Sequence, residues 1–194
     1  VKDKFPKDWK LPNVYLLHGD LSKEEMNYLY NHKKIKAMVS FTHGEGFGRP
    51  LLEATMTGLP VIASGWSGQL DFLDKDKSLL VKGTFEKVPK SVVWKDIIVE
   101  NSQWFTVDES SAYKSFNYVF KNKFDVKRDA KSLMNINRER FSLDKMSEKL
   151  DKIVTPFIDK LPSQVKLNLP KLKKNKVDLP KIKLPKLKKI TEDS

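Results

Sequence analysis

Glu45 and Glu53 stand eight residues apart in the run Gly44-Glu45-Gly46-Phe47-Gly48-Arg49-Pro50-Leu51-Leu52-Glu53. A carboxylate is a poor partner for phosphate and a good acceptor from hydroxyl groups. The residues around the pair supply what the acids lack. Glycines at 44, 46 and 48 let a ligand approach the backbone closely. The free N–H groups and the positive dipole end of a helix start attract phosphate or another electron-rich group. Two acids beside such a site suit a ligand that carries both phosphate and sugar. Taken alone, Glu53 in a first helical turn would only favour the helix dipole, by about 0.3–1 kcal/mol. A dinucleotide fingerprint would need glycine where Arg49 stands, and no Gly-Lys-Ser/Thr follows, so neither that motif nor a P-loop fits.

The flanking residues say what must hold this turn. Ala37-Met38-Val39-Ser40-Phe41 is a β-rich apolar run. Pro50 suits a first helical position, where a missing N–H breaks no bond, and Gly58 suits the left-handed residue that closes a helix. Pro60-Val61-Ile62-Ala63 reads as a second, buried strand. Strand, helix and strand at this spacing predict a right-handed parallel crossover.

With Gly58-Leu59-Pro60-Val61-Ile62-Ala63-Ser64, the glycine run closely resembles the signature of group 1 (family 4) retaining glycosyltransferases. The resemblance covers roughly residues 13–157. It implies an α/β fold with a Rossmann-like parallel sheet, the C-terminal donor-binding half of a GT-B enzyme. It further implies that Glu45 contacts donor-sugar hydroxyls as the catalytic acid of the pair. Glu53 would hold the ribose diol, and Gly46, Phe47, Gly48 and Arg49 would lie against sugar and diphosphate. Asn13–His18 resembles the family's third strand, closed by Gly19, and the following loop implies that Gly19 and Leu21 approach the nucleobase. The expected substrate is a nucleotide diphosphate sugar. No other cofactor and no metal is expected.

Some positions depart from that pattern. Thr42-His43-Gly44 replaces the usual small residues before the turn. His43 could act near neutral pH, yet no triad partner is close in sequence, so it is expected as a structural or substrate contact. Ser67-Gly68-Gln69-Leu70-Asp71 resembles the family's G-G-x-x-E, with Ser for the first Gly and Asp for Glu. Asp74-Lys75-Asp76 matches a bare D-x-D, but among lysines before Leu79-Leu80-Val81 it reads as a solvated turn.

Further signals mark the remaining elements. Ser22 and Glu25 form a capping box, with Met26, Leu29 and Tyr30 facing inward. An inserted hairpin is expected at about 83–103, pairing Val92-Val93-Trp94 with Ile97-Ile98-Val99 about Lys95-Asp96. Asp108 is a good N-cap for a helix whose core stripe is Tyr113, Phe116, Val119 and Phe120. Asp125 is expected to cap the next, which turns Val126, Ala130, Leu133 and Met134 inward. The last begins at Ser142 and carries Leu143, Met146, Leu150, Ile153, Val154 and Phe157, with Pro156 kinking or ending it. The resemblance implies that this helix packs toward an N-terminal domain.

Zero cysteines among 194 residues exclude disulfides and a thiolate nucleophile. No run approaches the eighteen or so apolar residues of a membrane span, and the first ten lack a signal-peptide core. A cytoplasmic protein is expected. Of the net charge of +12, +7 falls in 161–194, which repeats LPKLKK and holds ten lysines, three acids and no aromatic residue. Residues 1–160 are thus expected as the sugar-nucleotide domain and 161–194 as a flexible Lys/Pro/Leu-rich tail. That tail could seat the protein at an anionic membrane surface. The chain does not begin with Met, and the resemblance places an acceptor-binding domain upstream of it; an incomplete donor domain, inactive in isolation, is expected. The function implied is hexosyl transfer with retention to an unknown acceptor. The alternative is a non-catalytic module that binds sugar nucleotide or polyanions.

Overall fold

The computed structural model describes Pro6, Asp8 and residues 11–158; the expected tail at 161–194 lies outside the described residues. Its elements run α1 (Lys23–Asn31), β1 (Met38–Ser40), α2 (Arg49–Met56), β2 (Val61–Ser64), β3 (Leu79–Val81), β4 (Gly83–Lys87), β5 (Gln103–Val107), α3 (Glu109–Lys121), α4 (Lys123–Arg140) and α5 (Leu143–Ile158). The chain packs as two units, Val1–Val154 and Thr155–Ser194. Only the last turn of α5 is described in the second.

The first unit is organised by a parallel sheet in the order β1-β2-β3, with Val39 opposite Ile62 and Ala63 opposite Leu80. All four residues of β2 are buried, as the central strand of such a sheet requires. Side-chain alternation splits its core in two. Val61 and Ala63 pack with Leu51, Leu52 and Ala54 of α2, Tyr30 of α1 and Leu133 of α4. Ile62 and Val81 pack with Ala112 of α3, joined by Phe41, Val107 and Val119. Helices therefore cover both faces, the α/β Rossmann-like arrangement read from the sequence.

Local signals fixed the helix that leaves the glycine turn. Pro50 is its second residue, one place later than expected. At the other end Gly58 has φ +72 and donates to the Thr55 carbonyl at 2.9 Å, while Leu59 N–H reaches the Ala54 carbonyl at 3.3 Å. That crossed pair satisfies two carbonyls the helix would leave open. The Ser22 capping box forms in both directions, at 2.8 and 3.2 Å. Asp108 caps α3 through Ser111 N–H at 2.6 Å.

Several expectations are corrected. Asn13–His18 forms no strand: the segment has no ladder partner among the described residues, and Val14, Tyr15 and Leu16 are 87–89 % exposed. A run of apolar residues such as Val14-Tyr15-Leu16-Leu17 makes a strand only where a neighbour accepts its backbone bonds. The inserted ribbon pairs Gly83–Lys87 with Gln103–Val107, and the expected Trp94–Ile98 pairing survives as an isolated bridge at its tip. On α3, Ala112, Phe116 and Val119 face the sheet, whereas Tyr113 and Phe120 are exposed. A helix on one face of a three-stranded sheet buries only a narrow stripe. Asn122, not Asp125, precedes α4, although Val126, Ala130 and Leu133 are buried as expected. Pro156 lies inside α5, which the expected kink allows, whereas Leu143, Leu150 and Ile153 of its stripe are exposed.

Candidate active site

The turn between β1 and α2 is held from the opposite loop, between β2 and β3. Ser67 Oγ accepts from Glu45 N–H at 3.2 Å and donates to the Glu45 carbonyl at 2.7 Å; Gly68 N–H adds a bond to that carbonyl at 3.1 Å. Glu45 is half-buried. The two loops approach so closely that a Cβ on Gly68 would lie 2.1 Å from the Gly46 carbonyl oxygen. Gly46 itself faces open space on its Cβ side. Gly48 sits at φ +84, the left-handed conformation from which α2 starts with no side-chain cap. No side chain caps α2, Pro50 has no N–H, and Leu51 N–H already bonds the Gly48 carbonyl at 2.9 Å, so within the first turn it is Arg49 N–H that an anion or polar oxygen can use.

Beneath the turn lies a polar support. Gln69 is fully buried and donates to the Ser64 carbonyl at 2.9 Å, and the Ser64 hydroxyl donates to the Thr42 carbonyl at 2.8 Å. The Phe47 ring packs on Phe72 and Phe141, with centroids 5.2 and 5.9 Å away. Its side chain anchors the turn while remaining 39 % exposed.

Glu53 lies one turn inside α2, and no acid occupies the first turn. A dipole effect fades beyond that turn, so helix stabilisation does not account for this carboxylate. Its side chain is 43 % exposed and pairs with Arg49 Nε at 3.2 Å, an exposed i,i+4 ion pair worth little to the fold. The Tyr30 phenol is held above its ordinary pKa, first by burial and second by the charge of Glu53.

His43 belongs to the ribbon as much as to the turn. Its ring stacks on Trp104 with centroids 3.9 Å apart and planes 2° from parallel. Nδ1 lies 2.7 Å from the Phe105 carbonyl, and Phe105 N–H returns to the His43 carbonyl at 3.4 Å. A carbonyl can only accept, so Nδ1 carries the proton and Nε2 is the lone-pair nitrogen of the neutral ring. Trp66 meets Phe85 edge-to-face at 4.6 Å, which ties the ribbon to the Ser67 loop as well. Sequence reasoning noticed Ser67 and Gly68 only as variants of a motif and missed Trp104. Serine where the resembling motif carries glycine was the available signal for the first; the stack has no local signature.

Gly19 and Leu21 are set apart from these contacts. Gly19 has φ +137, and Leu21 lines a shallow apolar groove with Leu17, Tyr28 and Leu29. No hydrogen bond or ring contact joins either residue to the glycine turn among the described residues. Asp74-Lys75-Asp76 is a turn closed by Asp74 Oδ1, which accepts from Asp76 N–H at 2.8 Å and pairs with Lys77 at 3.5 Å. Among the described residues no cluster of His, Asp or Glu could hold a metal ion, and no helix is long and apolar enough to cross a membrane.

Residues 7–97 match the family model described as glycosyl transferases group 1. The matched segment contains the glycine turn, both glutamates and the Ser67 loop. No curated protein matches the chain.

Proposed function

From the premise that this chain carries a group 1 glycosyltransferase segment at residues 7–97, we propose that it is the donor half of a GT-B hexosyltransferase acting with retention of configuration. Glu45 receives the hydroxyls of the donor sugar, Glu53 the ribose diol. The amides from Gly46 to Arg49 and the start of α2 stabilise charge on the departing diphosphate. The bond from the anomeric carbon to the diphosphate breaks, its electrons leaving on the phosphate oxygen. An acceptor hydroxyl oxygen bonds that carbon on the same face, and its proton goes to the departing diphosphate. Gly19 and Leu21 approach the base, and His43 borders the substrate. No metal and no protein nucleophile take part.

One observation carries this assignment: the Glu45 backbone is clamped while Gly46 beside it faces open space at a helix start. The assignment requires an acceptor-binding domain, which the GT-B arrangement places before the donor half, and an acceptor whose identity is open. The protein is cytoplasmic, with residues 161–194 touching anionic membrane through their ten lysines. A non-catalytic module that binds sugar nucleotide, or polyanions through the same lysines, is the competing proposal.

Titration of UDP-, GDP- and ADP-sugars against the full open reading frame separates the two. Glu53→Ala should lose nucleotide affinity, and Glu45→Ala should lose turnover with nucleotide affinity nearly kept. Equal nucleotide affinity in wild type and both variants would defeat the assignment of the two glutamates, and absence of both sugar-nucleotide binding and turnover in all three would leave the polyanion module.

A further inference from the structure

Ser67 is the residue whose backbone and side chain disagree. Its φ of 78° and ψ of −164° lie in a region that essentially only glycine occupies. A side chain there is strained, and glycine would not be. Yet the hydroxyl is spent entirely on one neighbour, 22 residues away, accepting from Glu45 N–H at 3.2 Å and donating to the Glu45 carbonyl at 2.7 Å. Bonds to the N–H and the carbonyl of one residue fix the peptides on both sides of its Cα. They therefore fix the direction of its Cα–Cβ bond, the base from which the carboxylate reaches out. Strain at a position over-determined by such contacts is what a positioning device looks like.

We infer that Ser67 is a positioning residue for Glu45: its hydroxyl holds the glutamate backbone so that the carboxylate meets the sugar hydroxyls of the nucleotide-sugar donor. The inference rests on Glu45 being the donor-sugar contact. Gly68 completes the hold, because its N–H bonds the same carbonyl at 3.1 Å and nothing larger fits against Gly46. No carboxylate oxygen is needed for the clamp, so both oxygens of Glu45 stay available to a ligand.

The variants Ser67→Ala and Ser67→Gly divide strain from clamp. Alanine keeps the strained side chain without the hydroxyl; glycine removes both. In the full chain, amide exchange at Glu45 should quicken about tenfold or more in both, while Gly65 N–H, bonded to the Val81 carbonyl at 2.8 Å, keeps its protection. Ser67→Gly should melt roughly 2–8 °C above Ser67→Ala. Calorimetric titration with UDP, GDP and ADP against UDP-glucose, GDP-mannose and ADP-glucose then reads the affinity that the sugar adds. That increment should fall about five- to tenfold in both variants, with bare nucleotide affinity within twofold of wild type. An unchanged increment in Ser67→Gly, or equal loss of bare nucleotide, would overturn the inference. Glu45→Gln separates the premise from the inference. If it leaves the increment intact, or if wild type binds none of the six probes, the donor assignment of Glu45 falls and takes the inference with it. If Glu45→Gln abolishes the increment and the Ser67 variants do not, only the inference falls.

Discussion

Asn137 of α4 donates its Nδ2 to Thr55 Oγ1 of α2 at 2.9 Å, across 82 residues of chain, and the same amide reaches the Phe72 carbonyl at 3.2 Å. Phe72 also carries the Phe47 ring, which links this network to the glycine turn. Asn137 is fully buried, so its bonds are not exchangeable with water. Asn137→Ala should therefore lower the unfolding free energy by about 1–3 kcal/mol, from stranded partners and a small cavity. A urea midpoint equal to wild type would show that α4 is not held on α2 by this network.

Three of the glycines in the two loops, Gly46, Gly48 and Gly68, should respond differently to alanine. Gly48 needs its left-handed φ but has room for a Cβ at 3.4 Å from its neighbours, so Gly48→Ala should lose about 1–2 kcal/mol. Gly68→Ala drives a Cβ into the Gly46 carbonyl and should disrupt the Glu45 hold as well as stability. Gly46→Ala meets nothing in the protein, and its melting temperature should match wild type. If a diphosphate lies against that backbone, Gly46→Ala alone weakens sugar-nucleotide binding without weakening the fold. Thermal melts and titrations on the three variants check the order.

What the sequence revealed and what it hid follow one division. Pro50, Gly58, the Ser22–Glu25 box and Asp108 act within a few residues of themselves, and the elements they delimit appear close to where they were expected. The hold of Ser67 on Glu45 and the stack of Trp104 on His43 join segments 22 and 61 residues apart, and no local pattern encodes them. Asn13–His18 failed for a related reason. Its apolar run describes a residue preference for strands, not whether a neighbour exists to pair with it. The aromatic residues of α3 were overcounted because periodicity reports a face and not how wide a surface waits to cover it.

The inserted ribbon should be coupled energetically to the turn. His43 and Trp104 stack with their planes 2° apart, and the His43 ring also donates to the Phe105 carbonyl. A double-mutant cycle with His43→Ala and Trp104→Ala should give a coupling of about 0.5–1.5 kcal/mol, the range for a well-formed aromatic pair. Strict additivity of the two losses in urea midpoint would mean that the ribbon merely lies beside the turn.

Tyr30 is a group through which alkali should lower stability. Its phenol is pushed above the ordinary value of 10.0, chiefly by burial and then by Glu53, with Arg49 pulling the other way. As pH rises past the unfolded pKa, the unfolded chain loses the phenolic proton while the folded chain keeps it. The unfolded state then binds fewer protons, and stability falls with pH. The contribution is complete below the unfolded value and is lost as pH climbs through the folded one. Tyr30→Phe cannot titrate, so between about pH 9 and 11 its urea midpoint should decline less than that of wild type. The charge on Glu53 adds to the shift, so Glu53→Gln should shrink the wild-type decline in the same direction by a smaller amount. Parallel curves for wild type and Tyr30→Phe across that window would mean that the phenol is not the group through which alkali acts.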